Sequence, residues 1–321
     1  MTNTSAPRLR LLSSPEPLGA QERPGFADAL EAFATRLAAE GRSGNTISAY
    51  LRDLSCMAGV LSRLHPRIAP DAVTSAMLDE VLTSPGVATS AKGEVRSPAS
   101  MHRFKAAVRS FFAWARRSGL VRENPAGSLT LHRVPRTPPR FLTEAEKRRL
   151  LKELRGRSTS PAVRDRVIIE LFLGTGIRLQ ELVNLDIEDV DLDAKHLRVV
   201  AKGNVPQVKF LKSTLRSLLR TYLIERRRQG DGECRALFLS NRGTRVSPGQ
   251  VANRVRCWLR KAGIEKDLSP HSLRHTFATH LYAATSDLLL VKRALGHRDI
   301  STTEIYTHLV DGALEEALER L

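Results

Sequence analysis

Ser269-Pro270-His271-Ser272-Leu273-Arg274-His275 reads as the opening of a helix. Ser-Pro is a helix-start signal, because proline's missing N–H falls where a helix has no intrahelical acceptor for it. This start puts His271 in the first turn and Arg274 on the same face one turn later. The N-terminus of a helix favours anions, so a histidine and an arginine placed there suit a phosphate. His271 and His275 also have the i,i+4 spacing of a metal pair. No His-Glu-x-x-His and no third ligand accompanies them, and no metal is expected.

Helical patterning spreads to both sides of this stretch. Downstream, a helix around Leu288–Leu295 leads into the turn Leu295-Gly296-His297, and a further helix runs from Ser301 onward. Ser301-Thr302-Thr303-Glu304 is a capping box, followed at once by Ile305-Tyr306. Taken alone, Tyr306 reads as a core tyrosine. Leu314, Leu318 and Leu321 close the chain as a short amphipathic stripe.

Upstream, the pattern predicts helices over Pro248–Ala262 and Thr214–Arg228. Between Val190 and Leu211 the periodicity becomes that of strands. Leu197, Val199 and Val200 form one strand, Val208, Phe210 and Leu211 its partner, and Lys202-Gly203-Asn204 lies near the turn. Before it, Gly176-Ile177-Arg178-Leu179-Gln180-Glu181-Leu182 places Arg178 at the start of a short helix, with Glu181 in reach of its guanidinium. Ser160-Pro161 opens a helix carrying Val163, Val167, Ile168, Leu171 and Phe172. Thr143-Glu144-Ala145-Glu146 caps the first helix of this half.

The first half is organised differently. Phe26, Leu30, Phe33 and Leu37 lie at helical spacing up to Gly41. A second helix from Asn45, a shorter one around Val73–Leu82 and one opened by Ser97-Pro98 complete a bundle of about four helices. The last helix carries Arg103, Lys105, Arg109, Arg116 and Arg117 and no acidic residue between Met101 and Leu120, which favours a nucleic-acid-facing surface. From Glu123 to Phe141, prolines alternate with Arg133, Arg136 and Arg140, as in a stiff basic linker. The expected organisation is a disordered lead-in over 1–24, a helical domain over 25–122, a linker over 123–141, a second domain over 142–310 and a C-terminal helix over 311–321. The fold class is mainly α, with a small antiparallel sheet in the second half.

The chain has 321 residues, a net charge of +17 and 41% hydrophobic residues, the composition of a globular chain with a basic excess. Residues 1–140 hold 19 Lys+Arg against 11 Asp+Glu, and residues 141–321 hold 32 against 23, so both halves are basic. Two domains that share one polyanion would have this balance. Cys56, Cys234 and Cys257 are far apart without a C-x-x-C pair, which points to a reducing cytosol. No apolar run reaches the length of a membrane span.

Arg178, Lys202, His271, Arg274 and His297, followed by Tyr306, are the groups a protein would gather around a phosphodiester, and a phenolic oxygen is a competent nucleophile toward phosphorus. In this order they resemble the tyrosine recombinase (phage integrase) family. The spans Gly176–Leu182, His271–Leu281 and Leu295–Leu309 look like its defining boxes, and Ser43–Leu54 is more weakly similar to the core-binding, SAM-like domain of Xer-type enzymes. The resemblance implies a four-helix core-binding domain followed by the family's catalytic fold. It implies that Arg178 and Arg274 clamp the phosphate, supported by Glu181, that Lys202 is general acid on the leaving 5′-oxygen, and that His271 is a phosphate and proton-transfer partner. His297 would donate to a non-bridging oxygen, and Tyr306 would be the nucleophile. Two departures stand out: Val205-Pro206-Gln207 follows the lysine turn where relatives often have charged residues, and Lys292 stands where they often have glutamine.

The reaction so implied is cutting and rejoining of double-stranded DNA through a 3′-phosphotyrosine and a Holliday junction, with no metal or other cofactor. It implies a tetramer on two DNA sites, of one chain or with a paralogous recombinase, the C-terminal helix docking on a neighbouring protomer. A bacterial, cytoplasmic, nucleoid-associated enzyme is expected, with Arg103, Lys105, Arg109, Arg116, Arg133 and Arg136 on DNA. A topoisomerase of the same chemistry and a non-catalytic architectural DNA-binding protein are the alternatives.

Overall fold

The computed structural model describes residues 24–89, 93–131, 140–157, 159–201, 205–228 and 234–296. The chain divides into two units, Met1–Arg136 and Thr137–Leu321, each with its own core.

In the first unit, α1 (Phe26–Ala39) buries Leu30, Phe33 and Leu37, the stripe its spacing predicts. The N-cap Ser43 accepts from the Thr46 amide to start α2 (Gly44–Leu64), which buries Leu54, Met57 and Leu61. After α3 (Ser75–Thr83) comes one added turn, α4 (Pro85–Ala88). Ser97 and Pro98 then open α5 (Pro98–Arg117), whose Phe104, Phe111 and Phe112 fill the centre. Phe33 and Phe111 meet edge to face at 5.5 Å, the favoured geometry for aromatic pairs. Ala126 and Leu129, expected in the linker, are buried in this core, because the segment after α5 folds back onto it. Residues 132–139 lie outside the described residues, as do residues 1–23 of the lead-in expected over 1–24.

The second unit begins where the Leu142 amide donates to Thr276 Oγ1 at 2.9 Å. The capping box at Thr143 starts α6 (Glu144–Arg155) as its sequence predicts. The next helix, α7 (Ser160–Thr175), is buried on nearly every side and forms the axis of the unit. Its two buried carboxylates are paired rather than stranded: Asp165 is satisfied by Arg164, Arg254 and the Trp258 indole N–H, and Glu170 by Arg166. A short helix, α8 (Leu179–Asn184), leads into the antiparallel sheet β1 (Val190–Asp191), β2 (His196–Ala201) and β3 (Val205–Phe210), in that order. Helices α9 (Ser213–Arg228), α10 (Pro248–Lys261), α11 (Pro270–Thr285) and α12 (Leu288–Leu295) complete the described part.

The sheet departs from the expected pattern in its second strand. Leu197 pairs with Lys209 and Val199 with Gln207, so these four share the inner face. Val208 and Phe210 turn outward and are exposed, while Lys209 is buried. The apolar residues of β3 drew attention in the sequence, yet it is the polar ones that face the core.

Candidate active site

Helix α7 ends at Gly176, whose φ of 59° lies in the left-handed region. This turn reverses the chain so that Arg178 becomes the N-cap of α8. A Cβ at Gly176 would run into the Phe277 ring and come within 2.9 Å of Leu295 Cδ2. Left-handed backbone costs an alanine about 1 kcal/mol and overpacking about 1–3 kcal/mol. Gly176→Ala is therefore expected to lower the unfolding free energy by about 2–4 kcal/mol, read by urea denaturation, with cleavage activity lost alongside.

Two of the nominated cations, Arg178 and Arg274, meet at this turn. Arg178 donates from Nη1 to Glu181 Oε1 at 2.7 Å, and the other carboxylate oxygen accepts the Arg178 amide at 2.9 Å. Glu181 is thus both helix cap and guanidinium support, as its spacing suggests. Arg274, buried on α11, donates to the Gly176 carbonyl from Nη1 and to the Leu295 carbonyl from Nη2, the latter at 2.9 Å. It ties the start of the Arg178 turn to the end of α12.

His271 sits in the first turn of α11, its residue still exposed. Its pKa is lowered by partial burial of the ring, then by the charges of Arg274 and Arg178. The imidazole is therefore biased to its neutral form, which can accept or relay a proton. His275 packs edge-on against it at 4.6 Å between ring centres. Burial, His271 and Arg274 push His275 down to about 4. Among the described residues, no group of three or more His, Cys, Asp and Glu could hold a metal ion. His280 belongs to a different environment, its Nδ1 being 2.9 Å from Glu144 Oε1.

Lys202, His297 and Tyr306 lie outside the described residues, as do Arg133, Arg136 and the C-terminal helix expected over 311–321. Of the other cations nominated for DNA, Arg103 makes a two-pronged bond to the buried Asp53 at 2.8 and 3.2 Å. Arg109 donates to the Leu129 carbonyl at 3.2 Å. Both therefore also hold their own domain together, which the sequence reading did not foresee. Arg116 is exposed on α5 and Lys105 is half-buried.

One charged group of the site was missed. Lys209, 4% exposed, donates from Nζ to the Ala294 carbonyl at 2.5 Å. Its pKa falls to about 8 through burial and the charge of Arg274, with Glu181 acting the other way and Arg178 adding to the depression. Strand parity was the available signal, since a lysine paired with the buried Leu197 has to face inward.

The sequence pattern described as "Phage integrase family" matches residues 140–312, and "Phage integrase, N-terminal SAM-like domain" matches residues 30–119. The chain belongs to the phage integrase family of tyrosine recombinases. It is 34% identical over 279 residues to tyrosine recombinase XerC of Alcanivorax borkumensis, covering 86% of this chain and 88% of that one. It is also 34% identical over 280 residues to the XerC of Corynebacterium glutamicum, covering 87% and 86%. Among solved structures it is similar to the XerH site-specific recombinase bound to a palindromic difH substrate in a post-cleavage complex, with a TM-score of 0.71, 25% identity and coverage of 92% and 84%. The protein is a site-specific recombinase that breaks and rejoins DNA strands, with a SAM-like helical domain ahead of a mostly helical catalytic domain.

Proposed function

We propose that recombination proceeds by attack of the Tyr306 hydroxyl on a DNA phosphodiester held by Arg178 and Arg274, giving a 3′-phosphotyrosine and a free 5′-hydroxyl. The observation that carries this reading is the pair of bonds from buried Arg274 to the Gly176 and Leu295 carbonyls. They fix a guanidinium beside the turn that presents Arg178. Attack on phosphorus puts negative charge on the equatorial oxygens, and fixed cations stabilise it without reorganising. Lys202 would protonate the leaving 5′-oxygen, His271 would relay a proton and His297 would donate to a non-bridging oxygen. The phosphotyrosine keeps the energy of the broken ester, so rejoining needs neither nucleotide nor metal.

The other tyrosines support this assignment. The chain has four. Tyr222 is buried, donates its hydroxyl to the Leu237 carbonyl at 2.9 Å and has its pKa pushed up to about 12, chiefly by burial. Tyr282 is buried beneath α12, and Tyr50 belongs to the first unit. The basic composition of both halves suits duplex DNA, with Lys105 and Arg116 on α5 as phosphate contacts and Arg133 and Arg136 as further cations for the backbone. The similar XerH recombinase is bound to a difH substrate in its solved structure; a tetramer spanning two sites, with a C-terminal helix shared between neighbours, belongs to the same proposal.

The test is a duplex nicked beside the cleavage position, from which a short strand diffuses away after cutting and leaves the protein joined to DNA. Covalent complex and strand exchange in the same preparation are expected; relaxation of supercoiled DNA without exchange would indicate a topoisomerase instead. EDTA is expected to leave the rate unchanged, because no carboxylate–histidine cluster in the sequence has metal spacing. Loss of cleavage in EDTA and its recovery with a divalent ion would overturn the metal-free mechanism.

A further inference from the structure

Lys209 is the one buried lysine among the described residues, and nothing in the assignment above uses it. It projects from the inner face of β3 into the space bounded by Arg274 of α11, Arg178 and Glu181 at the head of α8, and the last turn of α12. Burying an ammonium is costly unless it is paired. Among the described residues its hydrogen bond is to a carbonyl, Ala294 O, and the charges acting on it are those of Arg274, Glu181 and Arg178. Among these described groups the cations Lys209, Arg178 and Arg274 outnumber the carboxylate Glu181.

The carbonyl it grips is specific. Ala294 and Leu295 present consecutive carbonyls at the end of α12, taken by Lys209 and Arg274 respectively. Cations suit this end because the helix dipole is negative there. Gly296 follows with φ 67°, and a Cβ there would meet the Gln207 side-chain amide, which would have to shift. Two inward residues of β3, Gln207 and Lys209, thus seat the chain as it leaves α12 toward His297.

We propose that Lys209 is a positioning residue for strand cleavage: its ammonium anchors the end of α12, and so the chain leading to His297, and a DNA phosphodiester held on Arg178 and Arg274 places an anion beside it. This rests on the arginine clamp proposed above. It also makes the seating of α12 responsive to substrate. In the free enzyme the lysine, at about 8, loses its proton at mildly alkaline pH. A bound phosphodiester holds the proton on, so DNA binding and proton uptake are linked.

The experiment measures single-turnover cleavage of the nicked duplex by the full-length protein between pH 7 and pH 9.5, at limiting and at saturating protein. Lys209→Met keeps the length and fills the site without charge; Lys209→Arg keeps a charge that does not titrate. Thermal melting checks that both variants fold. At limiting native protein the rate is expected to fall above about pH 8, and at saturation the fall should move to higher pH, since only the former reports the free enzyme. Lys209→Met is expected to be about a hundredfold slower at pH 7.5, the scale of a 1 Å misplacement, and to lack that alkaline limb. Lys209→Arg should also lack it while recovering much of the rate. Sulfur at the bridging 5′-position should not rescue Lys209→Met, which separates it from a general acid.

Native rates in Lys209→Met, or an alkaline limb unchanged in both variants, would overturn the positioning role alone. A native protein that forms no covalent complex would sink the proposed chemistry as well.

Discussion

Replacing Tyr306 by phenylalanine is expected to reduce covalent protein–DNA complex to the uncatalysed background while leaving DNA affinity nearly unchanged. Only the nucleophilic oxygen is lost, and affinity for duplex DNA comes mainly from cations on phosphates. Gel shift and covalent trapping on one nicked duplex measure both quantities together. Covalent complex persisting in Tyr306→Phe would move the nucleophile elsewhere, and weakened binding with cleavage retained would make the tyrosine a contact residue.

Lys202→Ala is expected to slow cleavage by about 10²–10⁴-fold, the range of a lost general acid. Its diagnostic feature is rescue. A substrate with sulfur in place of the bridging 5′-oxygen leaves as a thiolate and needs no proton, so Lys202→Ala should regain most of the lost rate on it. Arg274→Ala should gain far less, because its task is charge on the non-bridging oxygens. The Arg274 variant should also destabilise the fold, since the Gly176 and Leu295 carbonyls lose their shared donor. Equal rescue of both variants would remove the case for Lys202 as the acid and make His271 the next candidate.

Much of this fold was legible because local rules and tertiary packing agree. The Ser97-Pro98, Ser160-Pro161 and Ser269-Pro270 starts each begin a helix, and the Thr143 box caps one. Glu181 holds Arg178 as their spacing implies. The misses have physical reasons. A strand reader follows apolar residues, and in β3 those are Val208 and Phe210, which face solvent, while the buried positions are Gln207 and Lys209. A buried lysine contradicts the usual partition, so only the register against Leu197 and Val199 reveals it. Arg103 and Arg109 have a structural role that the sequence did not reveal. A run of cations looks like a surface for a polyanion, but the buried Asp53 and the Leu129 carbonyl that each arginine serves come from segments remote in sequence. Ala126 and Leu129, in the stretch read as linker, lie among turn residues with no periodic pattern, yet both are buried.

The central claim is that a tyrosine of the catalytic domain carries the DNA through a 3′-phosphate. The most direct measurement is to trap the complex on the nicked duplex, digest protein and DNA, and sequence the nucleotide-bearing peptide by mass spectrometry. The account predicts a single modified peptide with the phosphate on Tyr306, joined to the 3′ end, and a free 5′-hydroxyl on the released strand. A nucleotide on Tyr282 or on any other residue, or a link through a 5′-phosphate, would contradict it.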